Sequence, residues 1–357
     1  MTRQVSRIIP IHASDSSQTG NARRQALSLA DAMGFDELRH GQLGIIVTEA
    51  ARNIEAHAGN GEIVLSPWFG GPGFGGPGFG GIGTDGQEGN QDSKGIDVLA
   101  LDKGKGIENV AVSLQDGYST GNTPGNGLGA MSRLAATFQI YSSAGHGTAV
   151  FARVLAQADQ IESDSEAYAT SAINLPLAGE SVCGDAWAVH RTSGRTLYIV
   201  ADGLGHGPFA AEAAQEALRI FELSARHAPE RILADVHGAL AHTRGAAVSV
   251  VEILHEKRLL NYAGAGNIVA AICLGNKSRS LVSMNGTVGH SIGRIQQFSY
   301  PWEKDSVLVM HSDGLATRWN FDQYQGLTSR HPALMAGVLF RDFSRRRDDA
   351  TIVVARM

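Results

Sequence analysis

The stretch that most constrains the fold is residues 198–207, YIVADGLGHG, an apolar run that ends on an acid and a glycine-rich turn. A run of this kind reads as a buried strand that delivers one carboxylate, that of Asp202, to its end. Three further acidic sites stand in similar settings: Gly184-Asp185, Ser312-Asp313-Gly314 after a strand-like 306–310, and Asp348-Asp349 before a strand-like 351–355. A single Asp-Gly pair is the ordinary chemistry of a turn. Carboxylates converging from several strand ends suit hard cations that take oxygen ligands in octahedral geometry, which points to Mg²⁺ or Mn²⁺.

At 357 residues the chain is long for one core and comfortable for two domains. Its net charge of −5 leaves no basic footprint, so nucleic acid is not an expected partner. A hydrophobic share of 43% against 18% charged residues supports packed cores. The first residues, MTRQVSRIIPIHASD, carry no apolar segment of signal-peptide length, and no apolar run is long enough to cross a bilayer, so the expectation is a cytoplasmic protein without membrane contact. Cys183 and Cys273 stand far apart, which argues against a disulfide framework. Cys183 abuts Gly184-Asp185 and reads either as a redox-sensitive thiol or as a buried inert one.

In chain order, Gly-Asp at 184–185, DGLGHG before a helix-like 208–223, YAGAGN at 262–267, HSDG at 311–314 and DDAT at 348–351 form a series. This series resembles the PPM-type metal-dependent serine/threonine phosphatases, in the SpoIIE-like bacterial branch with compact RsbX-like members. The resemblance covers about 167–357 and implies a PPM-type αββα sandwich that hydrolyses phosphoserine or phosphothreonine with two Mn²⁺ or Mg²⁺ ions. It assigns Asp185, Asp202, the carbonyl of Gly203, Asp313 and Asp348 to the metals, while Asp349 aligns less well. A two-metal site activates the attacking water, so no protein nucleophile is required. His206 reads either as the general acid for the leaving hydroxyl or as a hydrogen-bonding residue of the turn. The phosphate-gripping arginine usual in the family has no certain match. Strands at 247–254, 259–263, 268–274 and 307–310 and a second helix near 232–241 fit two sheets flanked by helices.

In the first half, a strand at 5–11 and a helix at 21–33 precede a longer helix at 36–57, which has an acidic start, a long apolar face and Gly59 just past its end. Glu49 and Asn53 lie four apart on it and project from one face. Strands at 62–66 and 96–101 follow, the second ending in Asp102-Lys103-Gly104-Lys105-Gly106. A second glycine cluster, GNTPGNGLG at 121–129, opens a helix-like 130–137, and AGHGTAV closes the series at 144–150. Three glycine elements after an E-x-x-x-N helix resemble the nucleotide-binding fold shared by gyrase, histidine kinases and bacterial anti-sigma kinases (GHKL or HATPase type), and EAARNI is similar to RsbT-like kinases. The resemblance implies a Bergerat-type α/β sandwich that binds ATP with Mg²⁺. In it Asn53 offers an amide oxygen to the ion and Glu49 takes the proton of an attacking hydroxyl. Asp102 accepts from the adenine amino group, and Gly104 and Gly106 allow close approach of backbone to base. Gly125, Gly127 and Gly129 free N–H groups for phosphate oxygens at a helix start, and Thr148 lies near the base. Lys103 and Lys105 read as solvated.

The expected organisation is therefore α+β in two domains: a GHKL kinase-like domain at 1–155, a polar linker at 156–166 and a PPM phosphatase domain at 167–357. The first domain departs from its family at 67–90, where Phe-Gly-Gly-Pro-Gly repeats read as a flexible low-complexity insertion between two strands. The leading functional reading is a bifunctional regulator of a partner-switching pathway. It phosphorylates and dephosphorylates STAS-domain proteins related to RsbS and RsbR. The alternative makes the first domain a non-catalytic module that binds ATP or a sigma factor and regulates the phosphatase. A third reading, hydrolysis of a small phosphorylated molecule, is disfavoured by the open, loop-poor shape the family implies.

Overall fold

The structure, a computed structural model, describes residues 6–15, 17–70, 94–114, 127–157, 169–275 and 277–356, and the backbone alone of 73–75. The first half contributes β1 (Arg7–His12), α1 (Ser17–Met33), α2 (Glu37–His57), β2 (Asn60–Phe69), β3 (Gly73–Gly75), β4 (Lys94–Asp102), α3 (Val110–Ser113), α4 (Gly127–Leu134), β5 (Thr137–Ser142) and β6 (Thr148–Leu155). Helix α2 starts where the Asp36 side chain accepts from Arg39 N, satisfying one of the N–H groups that a helix start leaves unpaired. Its buried Leu43, Val47, Ala50 and Ile54 recur at helical spacing and pack, with α1 and α4, on one face of the antiparallel sheet β1-β2-β4-β6-β5. The helix expected at 130–137 begins earlier, at Gly127, and ends at Leu134, because the next residues join the sheet as β5.

The second half contributes β7 (Ala169–Leu175), β8 (Asp185–Thr192), β9 (Arg195–Gly203), α5 (Pro208–Ser224), α6 (Pro229–Ala239), β10 (Ala246–Leu254), β11 (Leu259–Ala265), β12 (Val269–Leu274), β13 (Lys277–Ser280), β14 (Gly286–Thr287), β15 (Ser291–Ile292), β16 (Phe298–Pro301), β17 (Val307–His311), α7 (Pro332–Phe343) and β18 (Ala350–Arg356). Two sheets, β16-β11-β10-β9-β8-β3 and β13-β12-β17-β18-β7, face each other across Tyr198, Val251, Tyr262, Trp302 and Met310. Helices α5 and α6 cover the β16-β11-β10-β9-β8-β3 sheet from outside through Ala214, Ala217, Phe221 and Val236. The two halves are thus α+β, a HATPase-like α/β sandwich and a PPM-like αββα sandwich.

Helix α7 supplies the outer layer of both sandwiches. Ten of its twelve residues are buried, and its apolar ones from Ala333 to Phe340 share one core with Leu99, Leu101 and Phe151 of the β1-β2-β4-β6-β5 sheet and with Ile173, Val309 and Ile352 of the β13-β12-β17-β18-β7 sheet. Sequence periodicity assigns no helix here, because a helix covered on both sides has no polar face to reveal its period. Gly337 permits the close approach, since a Cβ there would lie 2.9 Å from Leu101 Cδ2. His331, the N-cap, stacks on Phe151 with ring centroids 4.4 Å apart. Within the first sheet Arg153 is fully buried, pairs with Asp97 at 2.7 Å and lies over the Trp68 ring.

Part of the glycine-rich insertion is not a free loop. Its residues 73–75 form β3, which pairs antiparallel with the edge of β8 in the other half of the chain, Phe74 opposite His190. Residues 71–72 and 76–93, and 158–168 of the linker region, lie outside the described residues.

Candidate active sites

The first site is a cavity of about 720 Å³ between α2, the end of β4, the start of α4 and the start of β6. Glu49, Asn53, Asp102, Gly104, Gly106, Gly127 and Thr148 all line it, as does Lys105. Gly129 is buried on α4 and does not line it, and Gly125 lies outside the described residues. The one-turn spacing of Glu49 and Asn53 brings both against the first residue of α4, where a Cβ on Gly127 would meet Glu49 Oε2 at 2.9 Å and Asn53 Oδ1 at 3.5 Å. Glu49 is steadied by Arg52 at 3.1 Å. The Nδ2 of Asn53 is buried with no hydrogen-bond partner among the described residues, an orphan donor at the head of the cavity.

Asp102 ends β4 with its Oδ1 accepting from Gly104 N at 2.8 Å and Thr148 N at 3.2 Å. Burial raises its pKa above the usual carboxylate range, against those two N–H donors and the charge of Arg341. Two residues that sequence reasoning left unassigned complete this corner. Gly147, at φ 78°, lies so close to β4 that a Cβ would fall 2.0 Å from the Asp102 carbonyl oxygen, and Ser142 Oγ bonds Thr148 Oγ1 at 2.9 Å. The double glycine of AGHG was the available signal for the first; the second carried none. Lys103, read as solvated, ion-pairs with Asp342 at 3.3 Å.

The second site lies where β9 and β17 end and β8 and β18 begin. Antiparallel register sets Asp185 opposite Asp202. Ser312 Oγ donates to Asp185 Oδ2 at 2.6 Å while accepting from Thr351 N, and Asn267 Nδ2 donates to Asp313 Oδ2 at 2.8 Å. Asn267 belongs to the YAGAGN motif, yet its role in orienting an acid emerges only from the fold. Asp348 caps Asp349 N at 2.9 Å. Asp349 is buried; its Oδ1 accepts from Leu177 N at 2.8 Å, and Gly184 N and the Cys183 thiol also face its carboxylate. At Gly203 only glycine fits, because a Cβ would meet Ala210 O at 2.1 Å.

Burial raises Asp185 to about 7, partly offset by the Ser312 hydrogen bond and reinforced by the charge of Asp349. Asp202 is raised to about 9, first by burial and then by the charges of Asp185, Asp313, Asp348 and Asp349. Among the described residues no three His, Cys, Asp or Glu side chains form a closed metal-ligand group, as expected of carboxylates that repel one another. The donor chemistry nonetheless fits a hard divalent cation: it is all oxygen, and burial with neighbouring charge raises Asp185 and Asp202, which a cation would lower again. His206, beside this cluster in sequence, is exposed and bonds Glu180 Oε1 through Nδ1 at 2.7 Å. Cys183 is buried, and burial followed by the charges of Asp185 and Asp349 pushes its thiol well above the ordinary range, which favours the inert reading. No helix among the described residues is long and apolar enough to cross a membrane.

Comparison with known proteins agrees with this division. Residues 12–154 match the family described as histidine kinase-like ATPase domain, and residues 192–357 match stage II sporulation protein E (SpoIIE). The chain is 29% identical over 129 residues to the serine/threonine-protein kinase RsbT of Bacillus subtilis, covering 36% of this chain and 82% of that protein. It is 29% identical over 159 residues to the phosphoserine phosphatase RsbX of the same organism, covering 44% of this chain and 78% of that protein. A crystal structure of RsbX in complex with magnesium aligns with a TM-score of 0.48 at 24% identity, over 54% of this chain and 96% of that one. The chain thus joins a first region similar to histidine kinase-like ATPase domains, RsbT among them, to a second region similar to SpoIIE and RsbX.

Proposed function

We propose that this protein both transfers phosphate from ATP to serine or threonine side chains of STAS-domain partners and removes it, within a bacterial partner-switching pathway. The observation that carries the reading is the pair of sites: a cavity uniting Glu49, Asn53 and Asp102 with glycine-lined backbone, and a separate cluster of carboxylates at four strand ends. The catalytic units are read as 1–155 and 167–357, joined by 156–166.

In the first site Asp102 receives the base amino group on the carboxylate oxygen left over by Gly104 and Thr148. Asn53 and the backbone at the start of α4 would hold the phosphates and a Mg²⁺ ion. Glu49, held by Arg52, takes the proton of the incoming hydroxyl. In the second site Asp185, Asp202, Asp313, Asp348 and the Gly203 carbonyl would hold two Mn²⁺ or Mg²⁺ ions, with Ser312 and Asn267 fixing two of the acids in place. When bound, such ions supply an activated water and polarise the phosphoryl group. His206, oriented through Nδ1 by Glu180, leaves Nε2 to protonate the departing serine or threonine hydroxyl.

The test is a phosphorylation time course on a STAS-domain protein with ATP, Mg²⁺ and Mn²⁺, comparing wild type, Glu49→Gln and Asp202→Asn. Phosphate that accumulates with Asp202→Asn and never with Glu49→Gln supports both activities on one target. Failure of every variant to label the partner, with wild type still stripping a pre-phosphorylated one, leaves only the phosphatase and makes the first domain a regulatory ATP-binding module.

A further inference from the structure

Helix α7 runs under β4, with Gly337 seated against Leu99 and Leu101, so its last turn arrives where β4 ends at Asp102. There Arg341, nearly buried, donates from Nη1 to the backbone oxygen of Asp102 at 2.9 Å. Its remaining fork grips the next residue of its own helix, Nε to Asp342 Oδ1 at 3.0 Å and Nη2 to Oδ2 at 2.8 Å. Asp342 is fixed in turn by the hydroxyl of Tyr324 at 2.8 Å and by Lys103 Nζ at 3.3 Å. Asp102 and Lys103 are therefore held at two adjacent points, one by its carbonyl and the other by its side chain, from an element of the other half of the chain. The direction of the Asp102 carboxylate follows its peptide, and that peptide cannot turn without breaking the Arg341 bond or striking Gly147.

The same turn continues into the second site. Phe343 O accepts from Ala316 N at 2.9 Å and Arg345 N donates to Gly314 O at 2.8 Å, next to Asp313; the chain then reaches Asp348. One short segment thus braces the base end of the cavity and the turn that carries an acid of the cluster.

We infer that Arg341 is a positioning residue for the nucleotide site, supplied by the phosphatase half of the chain, and that nucleotide in the cavity is felt at the carboxylate cluster through the last turn of α7. The inference rests on the nucleotide reading of the cavity proposed above. A rigid, charge-assisted fork that fixes a recognition carboxylate by its backbone lowers the reorganisation needed on binding. A coupling carried by such a shared element acts equally in both directions on binding.

The experiment uses the full chain. Binding of trinitrophenyl-ATP with Mg²⁺ is titrated for wild type, Arg341→Met, Arg341→Lys and Asp342→Asn, alongside thermal melts. Hydrolysis of p-nitrophenyl phosphate with Mn²⁺ is measured with and without a saturating non-hydrolysable ATP analogue. Arg341→Met is expected to bind about tenfold more weakly, the loss typical of one hydrogen bond to a charged group, with partial rescue in Arg341→Lys. In wild type the analogue is expected to change the hydrolysis rate by about fivefold, and in Arg341→Met this response is lost even at saturation, which a merely structural arginine would not produce. If Arg341→Met fails to melt cooperatively, Asp342→Asn carries the same expectation with the arginine still present. Wild-type affinity and an intact response in the folded variants overturn the inference alone. A wild-type chain that binds no nucleotide overturns the nucleotide reading and this inference with it.

Discussion

The two candidate sites solve opposite electrostatic problems. The first cavity sets Asp102, with one oxygen already satisfied by two backbone N–H groups, among glycine backbone and side chains of both signs, Glu49 and Glu108 with Arg52 and Lys105. In the carboxylate cluster Asp202 is raised to about 9, first by burial and then by the charges of Asp185, Asp313, Asp348 and Asp349. A cavity that holds charges of both signs forms on folding without an added counter-charge, as where Glu49 pairs with Arg52. A cluster of like charges is formed against its own repulsion and depends on retained protons or a cation. The cavity of mixed charge is thus set by folding, whereas the acidic cluster is completed by protons or a cation.

The largest expected effect separates the sites by chemistry. Glu49→Gln should reduce phosphate transfer from ATP by up to about 10⁴-fold, as loss of a general base does, while trinitrophenyl-ATP still binds. Equal loss of binding would mean that Glu49 shapes the cavity and takes no proton. At the other site, Asp202→Asn should lower Mn²⁺-dependent hydrolysis of phosphoserine protein on the order of 10³-fold. Cation binding should also tighten from pH 6 to pH 8 in wild type, because Asp185 at about 7 and Asp202 at about 9 must give up protons to bind it. Calorimetry in buffers of different ionisation enthalpy would report that proton release; none released would contradict the raised carboxylates.

His206→Ala should cost on the order of 10²-fold with a phosphoserine substrate and far less with p-nitrophenyl phosphate, whose leaving group needs no proton. An equal loss on both substrates would make His206 a structural residue of the turn. Gly337→Val tests whether the two regions are independent. Overpacking against Leu99 and Leu101 should destabilise by about 1–3 kcal/mol, and should shift the melting of both halves together, since α7 belongs to both cores. Separate transitions, one unmoved, would refute the shared layer.

The smallest effect is a pH slope at the same interface. Burial, aided by the charge of Arg153, holds the His331 imidazole well below its ordinary range. The unfolded chain takes up a proton there below about pH 6.5 and the folded chain does not, so stability is present above that pH and is lost as pH falls. His331→Asn, which keeps a capping side chain, should flatten the fall in melting temperature between pH 7 and pH 5.

Much of each site was legible because its residues lie close together in sequence within strong local patterns. The four-residue spacing of Glu49 and Asn53 places both on one face of α2, and Asp102 and Asp202 each end an apolar strand run. Ser312, Asn267 and Asp349 were harder to read, because their value comes from which distant oxygen they face and polar residues of turns have many local uses. The insertion misled in the opposite sense: its composition signals no folded unit, yet residues 73–75 extend a sheet edge that the rest of the molecule provides. A backbone can pair with a sheet edge whatever its composition.

What the sequence determined by itself was the pair of fold types, the apolar runs that end in acids and the glycines where backbone or ligand must come close, because periodicity and steric allowance act within a few residues. What only the tertiary structure decided was that the two halves share α7, that Arg341 reaches the carbonyl of Asp102, and that the acids of four strands press on one another. Those contacts join residues as far as 239 positions apart. An apolar helix buried on both sides shows no pattern that says which sheets will cover it, so that choice is made only when the layers pack.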